Sequence, residues 1–251
     1  MKRLTAFYAI ACLVSWLLSA LYEVSLALPI LGLFGPAVAA VVVHARTGGR
    51  PAVTTLLSAV GGWRVGAGWY AFVVLVPFAL SGAVWAAHAV IWHATPFALA
   101  RLGPLDLVVA VLVVGEELGW RGFALPELLR DRSALSASLV LGVLWGLWHL
   151  PNFLIPGYPH WDLSLPAFVC ATMAYSVLFT VLFNRTGGSV LLATMFHAAI
   201  NLITPSGIPA EHRQWLVAAV WSAAAAVAVL LAGPDLGRRG RSTEPTADRS
   251  Q

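Results

Sequence analysis

The chain is cut into apolar runs of about twenty residues, and nothing else in it constrains the fold as tightly. A membrane-crossing helix needs roughly 20 consecutive apolar residues. Eight stretches reach or approach that length: 4–22, 26–45, 68–92, 105–125, 134–155, 164–184, 188–204 and 214–232. Strong breakers separate them, in "RTGGRP", "HATP", "IPGYPHWD", "NRTGG" and "TPSGIP". Charge agrees with this reading. Only 10% of the residues are charged and 59% are hydrophobic, whereas a soluble domain carries roughly 25% charge. The expected architecture is all-α, a polytopic transmembrane helical bundle of about eight spans filling residues 1–232. The second span contains Pro29 and Pro36, and the seventh is short. Residues 233–251 are polar and Arg-rich, and are expected to form a disordered tail. There is no internal repeat and no second, soluble domain. The first apolar run follows Lys2 and Arg3 as a signal peptide would, but no small-residue cleavage site follows it, so it reads as a span. Cys12 and Cys170 sit in apolar runs and read as packing residues rather than a disulfide.

Charge also sets the expected orientation. With the N-terminus inside and eight spans, twelve basic residues face the cytoplasm, from Lys2 and Arg3 to the Arg-rich tail. Only Arg101 and Arg213 lie outside. That bias follows the positive-inside rule and places both termini in the cytoplasm. On this topology Glu116 lies toward the cytoplasmic half if the fourth span ends near Arg130. A single lysine against fourteen arginines, among abundant alanine and valine, fits a GC-rich bacterial genome and a bacterial cytoplasmic membrane. The net charge of +4 is scattered over loops and tail and does not suggest nucleic-acid binding.

Against this background the fourth span is anomalous. "VVAVLVVGEELGWRGFALPELL" carries Glu116, Glu117 and Arg121. A charge at mid-bilayer costs about 2.5–3.5 kcal/mol on insertion scales, so such groups face the bundle interior. Glu117 and Arg121 stand four apart on one helix face and can pair. Glu116 lies about 100° round from Glu117, which leaves it for chemistry. One structural network of all three residues is the alternative on this helix alone. The fifth span, "LVLGVLWGLWHLPNF", brings His149 four residues after Trp145, with Pro151 expected to bend or end the helix. The seventh, "VLLATMFHAAINLIT", places His197 and Asn201 on one face. Singly, His149 reads as a core histidine and the His197–Asn201 pair as interhelical glue. Together, three spans offer one glutamate, two histidines and an asparagine to one interior site. The remaining histidines read blandly: His88 and His93 as interfacial, His44, His160 and His212 at span ends or in loops.

The motifs, in order, are "EELGWR" (116–121), "WGLWH" (145–149) and "HAAIN" (197–201). The pattern resembles the CPBP family of CAAX-protease and bacteriocin-processing membrane endopeptidases, also called the Abi or Rce1-like family. The resemblance covers roughly residues 105–205, and the stretch "LGLFGPAVAA" is similar to the family's proline-containing N-terminal span. The Gly-Pro there reads as a close helix crossing or a kink. The family's second motif usually starts with Phe, where this chain has Trp145. The resemblance implies a membrane endopeptidase whose first glutamate, here Glu116, is the general base.

The chemistry is consistent with those residues. Glu116 activates a water, His149 holds it, and His197 and Asn201 donate to the developing oxyanion. Glu117 and Arg121 hold the helix in register. Glu116, His149 and His197 also make a His₂Glu zinc set with an open water position. Against zinc stand the lack of HExxH and the poor ligand quality of Asn201, and both mechanisms stay open. The expected partners are the lipid bilayer and a peptide or lipid-anchored protein substrate. Two other classes compete: a non-catalytic scaffold or immunity protein of the same fold, and a small transporter, which would be expected to show repeat symmetry or paired broken helices. A rhomboid-type serine protease needs GxSG, and "TPSG" lacks the first glycine.

Overall fold

The computed structural model describes residues 2–93, 97–158 and 160–238. Among them every regular element is helical, with one isolated bridge between Leu99 and Pro205. The elements are α1 (Lys2–Ser19), α2 (Ala27–Gly32), α3 (Gly35–Ser58), α4 (Ala67–Trp92), α5 (Pro104–Leu112), α6 (Val114–Gly119), α7 (Leu125–Leu128), α8 (Ala134–Trp148), α9 (Pro151–Leu154), α10 (Leu165–Arg185), α11 (Val190–Leu202) and α12 (Ala210–Ala232). Among the described residues five helical stretches are long and apolar enough to cross a membrane: α1, α2 running into α3, α4, α10 and α12. The bundle wears an apolar coat. Leu13, Val90, Val111, Leu230 and Leu231 are all exposed on its outside, as a lipid-facing surface requires.

The other expected spans are helical but broken, and prolines and glycines supply the reasons. The span expected at 26–45 is divided at Leu33–Phe34 and restarts with Pro36 in the first turn of α3. That helix continues past 45 and bends at Gly49, which takes φ +64°, just before Pro51. The span expected at 105–125 is not one helix. It runs as α5 and α6, a π-helical turn at Trp120–Ala124, and α7. Pro126 opens α7, and its missing N–H removes one rung of the ladder from the preceding turn. The span expected at 134–155 ends at Trp148, with His149 as its C-cap, and Pro151 starts α9 as expected. α8 and α11, at 15 and 13 residues, are short apolar helices.

Tight crossings hold these pieces together. A Cβ on Gly119 would run into Pro36, so the "GLFGP" stretch meets the motif helix α6 at closest approach. A Cβ on Gly142 would overlap the backbone of Met173, where α8 crosses α10. Hydroxyls join the same helices: Ser138 Oγ donates to Thr180 Oγ1 at 2.7 Å, and Thr172 Oγ1 to the carbonyl of Gly142 at 3.0 Å. In hydrocarbon, small residues and such hydrogen bonds do the work that hydrophobic burial does in water. The polar tail expected from residue 233 begins as an ordered turn. Leu236 is fully buried, and the Asn184 amide donates to its carbonyl at 3.2 Å. One buried apolar side chain and two or three carbonyls in reach of helix ends suffice to fold it back. Residues 239–251 lie outside the described residues.

The long elements run alternately up and down, so the bundle has two distinct ends. At one end the Arg3 guanidinium meets Glu127 at 2.8 Å, the Leu135 amide donates to the Pro234 carbonyl, and Ser189 Oγ donates to the Gly62 carbonyl. At the other, Tyr22 Oη donates to the Gly157 carbonyl, and the Ala100 amide to that of Thr204.

Candidate active site

The site is built on the break in the fourth span. Because α6 is a true α-helix as far as Gly119, Glu116 and Glu117 leave it about 100° apart. Their surroundings differ accordingly. Glu116 lines a cavity of about 660 Å³, together with Trp145, His149, His197 and Asn201. Glu117 and Arg121 stand behind the cavity wall, and both are fully buried.

Behind the wall, Arg121 Nη1 donates to Glu117 Oε1 at 2.7 Å, the expected i, i+4 pair. His197 Nδ1 donates to the same carboxylate oxygen at 2.8 Å. This second bond is a link that the sequence reading missed, because it joins two helices 80 residues apart and leaves no periodicity in either. The rest of the guanidinium has no hydrogen-bond acceptor among the described residues. It is held by rings instead, 3.7 Å from the centroid of Phe179 and 4.5 Å from that of Trp145. A cation over aromatic faces recovers part of the desolvation cost that hydrogen bonds would otherwise offset.

In front of the wall, the indole Nε1–H of Trp145 donates to Glu116 Oε2 at 3.0 Å. The sequence reading treated Trp145 as an aromatic standing in for Phe, yet its N–H makes a contact that Phe cannot. Trp145 thus touches both carboxylate systems, with its edge on Glu116 and its face on Arg121. His149 Nδ1 donates to the carbonyl of Trp145 at 2.9 Å, one helical turn back. A carbonyl only accepts, so Nδ1 carries the proton. In the neutral ring, Nε2 is then the free nitrogen and an acceptor. His197 has the same pattern, with Nδ1 spent on Glu117. Both imidazoles are therefore oriented through Nδ1, by a carbonyl and by a carboxylate, and each has only Nε2 to offer a ligand. Asn201, exposed on the next turn of α11, adds an amide to the wall.

All six motif residues thus meet at one place, four lining the cavity and two bracing it from behind. Glu116, His149 and His197 share the cavity, but among the described residues no three His, Cys, Asp or Glu side chains are grouped to hold a metal ion. The Glu116 carboxylate already accepts from Trp145 on one oxygen.

Two further residues, one in a loop and one on α9, add to the wall. His160, assigned above to a loop, lines the cavity 6.4 Å from the His149 ring, centroid to centroid. It packs against Phe168 at 4.9 Å, and burial holds its pKa down to about 4. Asn152, three residues after His149, lies 3.4 Å from His160 Nδ1. Only the position of Asn152 just beyond "WHLP" hinted at this in the sequence. His88, expected at the membrane interface, stands near the C-terminal end of α4. It is buried on α4, 3.3 Å from His212 Nδ1, and Trp92 stacks on the His212 ring at 4.0 Å. Cys12 and Cys170 are both free thiols, Cys12 buried and Cys170 exposed on α10.

The comparisons with known proteins fall on this same segment. Residues 98–203 match the family model described as type II CAAX prenyl endopeptidase Rce1-like. A CAAX prenyl protease 2 from Methanococcus maripaludis is similar, with 28% identity over 105 residues. That alignment spans 39% of this chain and 39% of the relative. The matched residues include all three motifs, and those motifs form the walls and the brace of one cavity. Through this segment the chain resembles the CPBP, or Rce1-like, family of membrane endopeptidases, and it spans less than half the length of the relative it matches.

Proposed function

We propose that the chain is an intramembrane endopeptidase that hydrolyses a peptide bond of a membrane-associated substrate with a water activated by Glu116. The observation that carries this reading is the split between two adjacent glutamates. Glu117 is committed to Arg121 and His197 behind the wall, while Glu116 faces a cavity with one oxygen anchored by Trp145. Anchoring one oxygen fixes the carboxylate and leaves the other for water.

The reaction balances through a single carboxyl group. Glu116 takes a proton from water as its oxygen attacks the scissile carbonyl carbon. The carbonyl π pair moves onto oxygen, which meets donors from Asn201 and His197. His149, with a bare Nε2, accepts the second hydrogen of the water and keeps its lone pair aimed at the substrate. As the C–N bond breaks, the protonated Glu116 returns its proton to the leaving amine. With Nδ1 donating to Glu117, His197 can serve the oxyanion only through a protonated Nε2, whose charge the oxyanion itself offsets, since the Glu117 carboxylate is already paired with Arg121. Each well-placed oxyanion donor contributes about 2.7–4 kcal/mol in transition states of this kind. Glu117 and Arg121 position the helix and touch no substrate.

The test is peptide cleavage by purified protein in detergent, read by mass spectrometry, on hydrophobic and prenylated peptides. Wild type cuts and Glu116→Gln does not. Equal cutting by both proteins refutes the reading. A chelator arm decides the metal question: activity lost to chelation and restored by added zinc would place a metal in the cavity.

A further inference from the structure

We propose that the end of the bundle where Arg3 meets Glu127 binds the headgroup of an anionic glycerophospholipid, whose chains lie along α1 and α8. Among the described residues this site shares no wall with the catalytic cavity. It does not depend on the protease reading.

The sequence gathers charge at two places that the fold joins. α1 begins with Lys2 and Arg3, and the chain leaves α7 through Arg130, Asp131 and Arg132. These segments enclose a second cavity of about 660 Å³. Its wall holds four cations, Lys2, Arg3, Arg130 and Arg132, against two carboxylates, Glu127 and Asp131.

Glu127 neutralises only part of that charge. Arg3 Nη1 donates to its Oε1 at 2.8 Å, and Arg130 Nη1 to its Oε2 at 3.4 Å. Two guanidiniums thus converge on one carboxylate and leave a positive excess. Arg3 is also held 5.5 Å from the centroid of the Phe123 ring, and its Nε is buried with no acceptor among the described residues. Lys2 and Arg132 are exposed and join no ion pair among the described residues. A phosphate group supplies what this wall lacks, several acceptor oxygens and a negative charge. Bonds from arginine and lysine to phosphate are charge-assisted and correspondingly strong.

The rest of the wall favours a lipid over a soluble phosphate. Leu4, Leu128 and Val140 line the same cavity. Val140 begins an apolar stripe on α8 that passes through Leu144 to the exposed Leu147. The spacing of four and three residues keeps these side chains on one face. Thr5, also in the cavity wall, begins a matching stripe on α1, followed by Ala9, Leu13 and Trp16, all exposed. The two helices meet at the cavity and meet again where Trp16 Nε1 donates to the Trp148 carbonyl at 2.9 Å. They therefore run side by side from the charged pocket into the hydrocarbon. A soluble anion would use the cations alone, whereas a phospholipid uses the cations and the stripes together. Basic pockets between membrane helices suit anionic headgroups for this reason. Through Arg3, which touches Phe123 in the π-helical turn and Glu127 in α7, the bound lipid ties α1 to the segment that follows Glu116.

Native mass spectrometry of the full chain in detergent tests the site. The probes are dioleoylphosphatidylglycerol and dioleoylphosphatidylcholine, which carry the same chains and differ in headgroup charge. The anionic lipid is expected to bind one preferred site, and the zwitterionic lipid to bind it more weakly. A basic residue near the membrane surface contributes about 1 kcal/mol, so Lys2→Gln and Arg132→Gln each weaken phosphatidylglycerol about fivefold, and the double variant about 25-fold. Arg50→Gln removes an exposed arginine outside the cavity and should leave the affinity unchanged. Melting temperatures without added lipid, expected to match wild type because Lys2 and Arg132 are exposed, show that the variants are folded. Millimolar inorganic phosphate is the competitor. Its failure to displace the lipid supports a site that reads headgroup and chains together. Displacement by phosphate would make this a soluble-anion site and overturn the lipid proposal. Equal affinity for the two lipids, or phosphatidylglycerol binding unchanged in the folded double variant, would overturn it as well.

Discussion

Replacing Trp145 with Phe isolates one hydrogen bond. The substitution keeps an aromatic face over the Arg121 guanidinium and installs the ring that the family usually carries at this position. It removes the N–H that reaches Glu116 Oε2 at 3.0 Å. A hydrogen bond to a charged group contributes about 1.5–3 kcal/mol. If the bond serves to hold the carboxylate with its second oxygen toward water, its loss acts on the chemical step. At about 1.4 kcal/mol per tenfold, kcat falls by roughly 10- to 150-fold while KM changes little. Trp148 provides the control. Its indole Nε1 is buried with no hydrogen-bond partner among the described residues, and its ring packs on Trp120 and His149. Trp148→Phe removes the same atoms and no hydrogen bond. Steady-state cleavage of one peptide and thermal unfolding in detergent, run on both variants, separate the two effects. Comparable losses of stability with a kcat loss confined to Trp145→Phe support the argument. A Trp145→Phe enzyme within about twofold of wild type, or an equal kcat loss in Trp148→Phe, refutes it.

Glu116→Gln should abolish turnover with expression and melting temperature unchanged, since the amide oxygen still accepts from Trp145. Arg121→Ala leaves the Glu117 carboxylate buried with His197 alone, and removing one partner of a buried pair costs about 3–5 kcal/mol. Yield and melting temperature should both drop, and Glu117→Gln combined with Arg121→Met should recover stability without recovering activity, because His197 has lost its charged acceptor. Gly142→Ala forces a methyl against the Met173 backbone, and overpacking of this kind costs about 1–3 kcal/mol. Gly82→Ala, where nothing lies within 4 Å of the new atom, should leave the melting temperature unchanged or slightly raised. The pKa of His160 is held down to about 4 by burial, against about 6.5 in an unfolded chain. The unfolded state therefore binds the extra proton first as pH falls. The contribution of His160 to stability is full above about pH 6.5 and is lost between there and about pH 4. Melting curves across that range should fall for wild type and flatten for His160→Phe.

The separate surroundings of Glu116 and Glu117 were legible in the sequence because both rest on local geometry. Four residues on a helix pair Glu117 with Arg121, and one residue rotates Glu116 away. The apolar runs were legible for the same reason, since length and composition decide them one stretch at a time. What the sequence hid is either long-range or a departure from regular helix. The Glu117–His197 bond joins α6 to α11, and no spacing within either helix encodes it. His160 reaches the site through a loop whose path no periodicity describes. The breaks at Leu33–Phe34 and Trp120–Ala124 are hydrophobic in composition, so a search for apolar length runs straight through them. Pro36 and Pro126 were visible as breakers, but their effect depends on the helix packed against each.

The proximity of the two glutamates makes a stronger demand on the proposed mechanism than either proposed role alone. A base must be free to exchange a proton with water, and a brace must not. Side by side on a straight apolar helix, both carboxylates would be desolvated by similar surroundings, and nothing would distinguish them. The helix crossing removes that symmetry. Gly119 lets α3 approach through Pro36, which seats α6 deep enough for Glu117 to meet Arg121 and His197 with no exposed surface. The 100° step then carries Glu116 past the edge of that contact and into the cavity. A bulkier residue at 119 would lift α6 from α3 and blur the two environments. Gly119→Ala should therefore lower kcat by more than its stability loss explains, whereas Gly142→Ala, on a crossing away from the glutamates, should lower stability and leave the kcat of the folded fraction intact. Equal ratios of kcat loss to stability loss in the two variants would remove the crossing from the account of the site and leave it to the fold alone.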